Sequence, residues 1–123
     1  MSYDKSNVFA KILRGEIPCN KIYEDDYALA FHDINPQAKV HVLVIPKGEY
    51  VSSRDFFTTA SDVEIASFWR AVGIVAKQLD LDESGYRLLA NHGPDSLQEV
   101  PHFHVHITGG QRLGRLIQPP PVA

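Results

Sequence analysis

The sequence predicts an α+β domain, with about five strands in an antiparallel sheet and one long and one short helix packed against it. Three observations point there. Asp62 to about Leu79 carries an apolar stripe at helical period. Several shorter apolar or alternating segments have the length of strands and are bounded by turn residues. The links between the early strands are hairpin-short, which favours antiparallel over parallel pairing.

The elements follow in order. From Asn7 to Arg14, Val8, Phe9, Ile12 and Leu13 recur at helical spacing, and Gly15 supplies the stop. Lys21 to Glu24 reads as a short strand, Asp25-Asp26 as a turn, and Tyr27 to Asp33 as the returning strand. On that strand Leu29, Phe31 and Asp33 share one face, and Ala28, Ala30 and His32 the other. Asn35-Pro36 makes a turn, Val40 to Ile45 is the next strand, and Pro46 ends it. The long helix starts at Ser61 and Glu64, whose spacing is that of a capping box. Ile65, Phe68, Val72, Val75 and Leu79 form its stripe, Trp69 widens it, and Gly73 within it costs about 1 kcal/mol relative to Ala. Tyr86 to Asn91 and His102 to Thr108 complete the strands, with a turn-rich loop from His92 to Pro101 between them.

At 123 residues the chain has the size of one domain that can bury its own core. The expected division is an N-terminal arm over 1–6, the folded domain over 7–110 and an extended tail over 111–123, where Pro119, Pro120 and Pro121 favour open backbone. Twelve Lys and Arg against fifteen Asp and Glu leave a net charge of −3, which is no footprint for nucleic acid. The lone cysteine, Cys19, rules out an internal disulfide and a cysteine-based metal cluster. The polar start, Met1 to Lys5, and the absence of a run of about 18 apolar residues make a soluble, cytoplasmic protein with no membrane partner the expectation.

Three of the six histidines fall at alternate positions: His102, His104 and His106. In a strand they share a face at about 6.6–6.8 Å between successive Cα atoms, while Phe103, Val105 and Ile107 turn to the core. His41 can join them if the two strands pair. Three readings stand open. The row can be a solvated polar face. It can be a metal site, with Asp33, Glu99 and His41 as further ligand candidates, although His102 and His106 would stand about 13 Å apart. Or it can supply a neutral imidazole nucleophile with neighbours that orient it and stabilise anionic oxygens.

The run His102-Phe103-His104-Val105-His106-Ile107 resembles the motif of the histidine triad (HIT) family. The resemblance extends through Val8-Phe9-Ala10-Lys11-Ile12, Gly15-Glu16-Ile17-Pro18, Tyr23 to Asp26, Ala30 to Ala38, His41 to Lys47, Asn91-His92-Gly93 and Gln98-Glu99-Val100. Within the family it is most similar to the Hint-like branch of nucleoside phosphoramidases and purine nucleotide hydrolases. The resemblance implies a HIT-like fold whose sheet runs on across a homodimer. It also implies hydrolysis at the α-phosphorus of a purine nucleotide through a nucleotidyl-histidine, with no cofactor and no metal. A dinucleoside polyphosphate hydrolase, or a nucleotide-binding protein with little turnover, is the alternative.

By the same resemblance His104 is the nucleophile, His106 and His102 orient it and contact phosphate, and His41 is the fourth histidine. Asp33 takes the ribose hydroxyls. Phe9, Ile17, Phe31, Ile34 and Leu43 sandwich the base. Asn91 and Gln98 surround the phosphate, and His32, Glu99 and Val100 complete the nucleotide-binding set. Two positions depart from the family's pattern. Glu99 stands where many members carry Ser or Thr, and Leu97 where a small glycine is usual. An ionised Glu99 repels phosphate; a protonated one, or one facing the leaving amine or solvent, does not.

Overall fold

The computed structural model describes residues 2–117 and 119–121. Met1 of the expected arm and Gln118, Val122 and Ala123 of the expected tail lie outside them. The elements run α1 (Val8–Leu13), β1 (Lys21–Glu24), β2 (Ala28–His32), β3 (Val40–Pro46), α2 (Ser53–Thr59), α3 (Asp62–Gln78), β4 (Tyr86–Leu89) and β5 (Val105–Gly109). A single 3₁₀ turn, Pro94–Ser96, interrupts the loop before β5. The strands form one antiparallel sheet in the order β1-β2-β3-β5-β4. The α+β class and the five-stranded antiparallel sheet are therefore as the sequence predicts.

Alternation sorts the two faces. Ala28, Ala30, Val42, Val44, Phe103, Val105 and Ile107 turn to α2 and α3, where they meet Phe56, Phe68, Val72 and Val75. Phe103 stacks on Phe56 with centroids 4.8 Å apart at 18°. Burying each such ring is worth about 1.5–3 kcal/mol. The small Ala28 and Ala30 let α3 approach β2. The other face carries Leu29, Phe31, Leu43 and Ile45 under Phe9 of α1. That face builds the site.

Local signals explain the helix starts. Asn7 caps α1 by accepting from the Ala10 N–H at 2.9 Å. Ser61 and Glu64 form the expected capping box on α3.

Three expectations change. A second short helix, α2, joins the two expected; Ser52 and Asp55 cap it with the same reciprocal box that Ser61 and Glu64 use. Strand β3 runs one residue further than expected, taking in Pro46, which pairs with Ala28 and ends it. Sheet pairing of the histidine segment starts at Val105, not His102. Before that point the backbone is held from elsewhere: the Phe103 N–H donates to the Tyr50 carbonyl at 2.7 Å, outside the sheet ladder. The alternation nevertheless persists from Phe103 to Ile107, because burial of Phe103 fixes it.

Candidate active site

A cleft of about 640 Å³ opens between α1, the ends of β2 and β3, and the loop that leads into β5. Its floor is Phe9, Phe31 and Leu43, with Phe9 edge-on to Phe31 at 5.7 Å. Histidines and carboxylates occupy its polar side. Register explains how they meet. In the β3–β5 pairing Leu43 faces His106 and His41 faces Thr108, so the two imidazoles are diagonal neighbours on one face. Their rings lie 5.1 Å apart, and His104 lies 5.1 Å beyond His106.

Hydrogen bonds assign the protons. The Gln37 backbone N–H donates to His41 Nδ1 at 3.0 Å, so that nitrogen is unprotonated and Nε2 carries the hydrogen. His41 Nε2–H then donates to His106 Nδ1 at 2.8 Å. His106 in turn carries its hydrogen on Nε2, a buried atom with no partner among the described residues. On His104, Nδ1–H donates to the His102 carbonyl at 2.7 Å. Its Nε2 therefore keeps a lone pair, and His104 lines the cleft.

Burial keeps the His104 and His106 rings neutral. It lowers the pKa of His104, against the opposing pull of the His102 carbonyl, Asp33 and Glu99. His106 is pushed down to about 4, first by burial and then by the neighbouring imidazoles of His104 and His41. An imidazole lone pair is thus available at neutral pH.

Asp33 has two tasks. Oδ1 accepts from the Asn35 N–H at 2.8 Å, which makes the turn, and Oδ2 lies 3.5 Å from His41 Nε2. Its half-buried carboxylate also lines the cleft.

Most of the expected site residues come together. His41, His104, His106, Asp33, Phe9 and Phe31 line the cleft, as do Ile17, His32, Ile34, Leu43, Asn91, Glu99 and Val100. Ile34 does so from a fully open position, 99% exposed, so it forms a rim and not a packed wall.

Two expected residues do not reach the cleft. His102 is completely buried, between Tyr3 and Phe9. Its Nε2–H donates to the Pro46 carbonyl at 2.8 Å, and the Tyr3 hydroxyl donates to its Nδ1 at 2.5 Å. Both ring nitrogens are used, so His102 supports His104 through its backbone and leaves nothing for phosphate. Gln98 is likewise consumed. Its Nε2 donates to the Val51 and Val100 carbonyls at 2.7 and 3.1 Å, and its Oε1 accepts from the Gly93 N–H at 3.1 Å. It ties down the loop that carries Glu99.

Sequence reasoning missed Gln37 and Tyr3. Gln37 acts through its backbone N–H, which leaves no side-chain signature. Tyr3 contacts a residue 99 positions away, and no local pattern announces that. The left-handed backbone of Leu97, φ 61°, was foreshadowed by its place where the resemblance expects glycine.

Comparison with known proteins agrees with this geometry. A model of the HIT domain matches residues 14–113. The chain belongs to the HIT family. It is 59% identical over 116 residues to an uncharacterised 13.2 kDa HIT-like protein of Azospirillum brasilense, covering 94% of this chain and 95% of that one. It is 42% identical over 111 residues to a 14 kDa zinc-binding protein of Zea mays, covering 89% and 86%. A HIT family hydrolase from Clostridium thermocellum superposes with a TM-score of 0.85 at 36% identity, covering 94% of this chain and 99% of that one. No helix among the described residues of this HIT protein is long and apolar enough to cross a membrane.

Asp33, His41 and His106 bring three possible metal-ligating atoms within 4.8 Å of one another. Two of those atoms already share the 2.8 Å His41–His106 hydrogen bond. Zinc takes nitrogen at about 2.0–2.1 Å, which would place two such ligands farther apart than that bond allows. The set fits an ion only by exchanging the shared proton for the metal and spreading the two rings.

Proposed function

We propose that this HIT protein hydrolyses purine nucleoside phosphoramidates, and related nucleotidyl esters or anhydrides, at the α-phosphorus through a nucleotidyl-His104 intermediate. The observation that carries this reading is the state of His104. It is a neutral imidazole with Nδ1–H anchored on a backbone carbonyl and its Nε2 lone pair left free beside a cleft of nucleotide size.

Base and ribose have matching surfaces. An aromatic and aliphatic floor suits a purine face, and a carboxylate at Asp33 can accept from both ribose hydroxyls. In the first step the His104 Nε2 lone pair attacks phosphorus and the P–N bond breaks. Its electron pair departs with the amine nitrogen, which takes a proton from solvent. Water then attacks phosphorus, the P–Nε2 bond breaks, His104 recovers its lone pair, and the nucleoside monophosphate leaves with the amine already gone. The His106 Nε2–H offers a fixed donor to a phosphoryl oxygen on which charge develops. The Gln37–His41–His106 chain holds that tautomer. Neutral rings give up Coulombic attraction for phosphate and gain a nucleophile that is not protonated.

We also expect two copies to pair, through the β4 edge, where Tyr86 and Leu88 are 39% and 40% exposed. Pairing there would cover an open sheet edge. Sedimentation gives the mass in solution, and a monomer would remove this part.

Release of AMP from an adenosine 5′-phosphoramidate tests the central part. Wild type should turn it over, and His104→Ala should lose about 10³-fold or more in kcat. Near-normal turnover by His104→Ala would overturn the mechanism.

A further inference from the structure

The sheet does not hold the chain where His104 sits. Pairing of β5 with β3 starts at Val105. Over 102–104 the backbone is placed by two other contacts, the Phe103 N–H on the Tyr50 carbonyl at 2.7 Å and the buried ring of His102. The His102 carbonyl receives His104 Nδ1–H at 2.7 Å, so its direction decides where the opposite nitrogen, Nε2, faces. Whatever fixes the His102 ring therefore aims His104.

That ring is clamped at both ends. Its Nε2–H donates to the Pro46 carbonyl at 2.8 Å, and the Tyr3 hydroxyl closes on Nδ1 at 2.5 Å, with the two rings edge-on at 5.5 Å. The second clamp comes from the N-terminal arm, outside every helix and strand. The arm is latched in place. The Asp4 carbonyl accepts from the Asn7 backbone N–H at 3.2 Å and from Asn7 Nδ2 at 2.7 Å, and the Asp4 carboxylate accepts from the Ser6 N–H and hydroxyl at 2.9 and 2.6 Å. Arg14, just past α1, donates to the Lys5 carbonyl at 2.8 Å. These bonds make a tight turn before α1 and deliver Tyr3 to His102. Phe9 of α1 lies edge-on to both His102 and His104, at 6.3 and 5.0 Å, so arm and helix close over the pair together. Without the Tyr3 hydroxyl, His102 Nδ1 would be a buried acceptor with no donor, and nothing would set that end of the ring.

We infer that Tyr3 is a positioning residue for the nucleophile: its hydroxyl fixes the tautomer and orientation of His102, and through the His102 carbonyl it aims the His104 Nε2 lone pair into the cleft. The inference rests on His104 as the nucleophile of the proposed reaction. Tyr3 is not among the residues that line the cleft, so it acts on the chemical step and not on substrate affinity. When the clamp is lost, the His102 carbonyl swings and His104 also samples the tautomer with its hydrogen on Nε2, which has no lone pair to offer phosphorus.

Tyr3→Phe keeps the ring and removes the hydroxyl. On an adenosine 5′-phosphoramidate its kcat should fall about tenfold, the effect of one lost bond to a buried acceptor, with KM within about twofold of wild type. NMR of the imidazole nitrogens, recorded without substrate, should show His104 as one tautomer protonated at Nδ1 in wild type and as a mixture in Tyr3→Phe. Ser61→Ala destabilises α3 far from the cleft and should keep both kcat and the His104 pattern. Arg14→Met frees the arm at Lys5; alone it should lower kcat about twofold to threefold, and combined with Tyr3→Phe it should add nothing. An unchanged kcat or an unchanged His104 pattern in Tyr3→Phe, an equal loss in Ser61→Ala, or additive losses in the double variant would overturn the positioning role and leave the phosphoramidase reading intact. Were wild type to turn over no phosphoramidate, the nitrogen pattern alone would decide. A mixed His104 in Tyr3→Phe would uphold the hold of Tyr3 on His104 while the proposed activity fell, and a single tautomer in both proteins would overturn it.

Discussion

His102 should make this protein acid-sensitive well above the range in which carboxylates titrate. Its ring is fully buried, and burial pushes its pKa from the ordinary 6.5 down to about 4. Both of its nitrogens are committed, Nε2–H to the Pro46 carbonyl and Nδ1 to the Tyr3 hydroxyl, so a second proton would have to break the Tyr3 bond. Above pH 6.5 the folded and unfolded chains are both neutral here and the shift has no effect on stability. As pH falls below 6.5 the unfolded chain takes a proton that the folded chain refuses, so stability falls with pH. The loss grows by about 1.4 kcal/mol per pH unit, reaches about 2 kcal/mol at pH 5, and levels off at about 3 kcal/mol below pH 4. Urea unfolding followed by Trp69 fluorescence at pH 7, 6 and 5 measures it. His102→Gln keeps a donor and an acceptor but cannot titrate. It should be less stable than wild type at pH 7, and the gap should narrow by about 2 kcal/mol by pH 5. His106 is shifted the same way in both proteins, so the difference between them isolates His102. Parallel stability curves for the two proteins would refute the reasoning.

Three further outcomes follow from the same contacts. Asp33→Asn should reduce kcat/KM by about tenfold or more for a ribonucleotide substrate and by less for its 2′-deoxy analogue, because the carboxylate's acceptor capacity is halved; steady-state kinetics on the pair gives the ratio. Ser61→Ala removes the Oγ that accepts from the Glu64 N–H at 3.1 Å and should cost about 1 kcal/mol in urea unfolding, with activity retained. Chelator should leave turnover intact, whereas added Zn²⁺ should inhibit reversibly, since an ion among Asp33, His41 and His106 displaces the proton that holds the His41–His106 pair. Loss of activity on chelation would show that this set serves a metal instead.

Periodicity was enough to read much of this molecule. The 3,4 stripe of α3 and its Ser61–Glu64 cap appear in the structure as the sequence implies, because burial of Phe68, Val72 and Val75 enforces the phase. The alternation from Phe103 to Ile107 was legible for the same reason. Helix α2 was not, since seven residues with two adjacent phenylalanines and two threonines carry no clear period. The spacing of Ser52 and Asp55 was the readable signal, with Asp in place of the more usual Glu at the third position. In the site, the identities of the cleft residues could be found because they sit on regular strands or in recognisable motifs. Their jobs were less accessible. His102 and Gln98 read as phosphate contacts, yet backbone carbonyls distant in sequence capture both side chains. The tautomer chain depends on one backbone N–H, from Gln37, that any residue except proline could supply.

The central claim is that His104 carries the nucleotide between the two chemical steps. Wild-type protein mixed with an adenosine 5′-phosphoramidate and acid-quenched within the first turnovers, then digested and analysed by mass spectrometry, addresses it directly. An adenylyl adduct on the peptide spanning His104, fragmenting at that residue and absent from His104→Ala, is the predicted result. Steady release of AMP with no adduct on His104, or an adduct on His41 or His106, would contradict it.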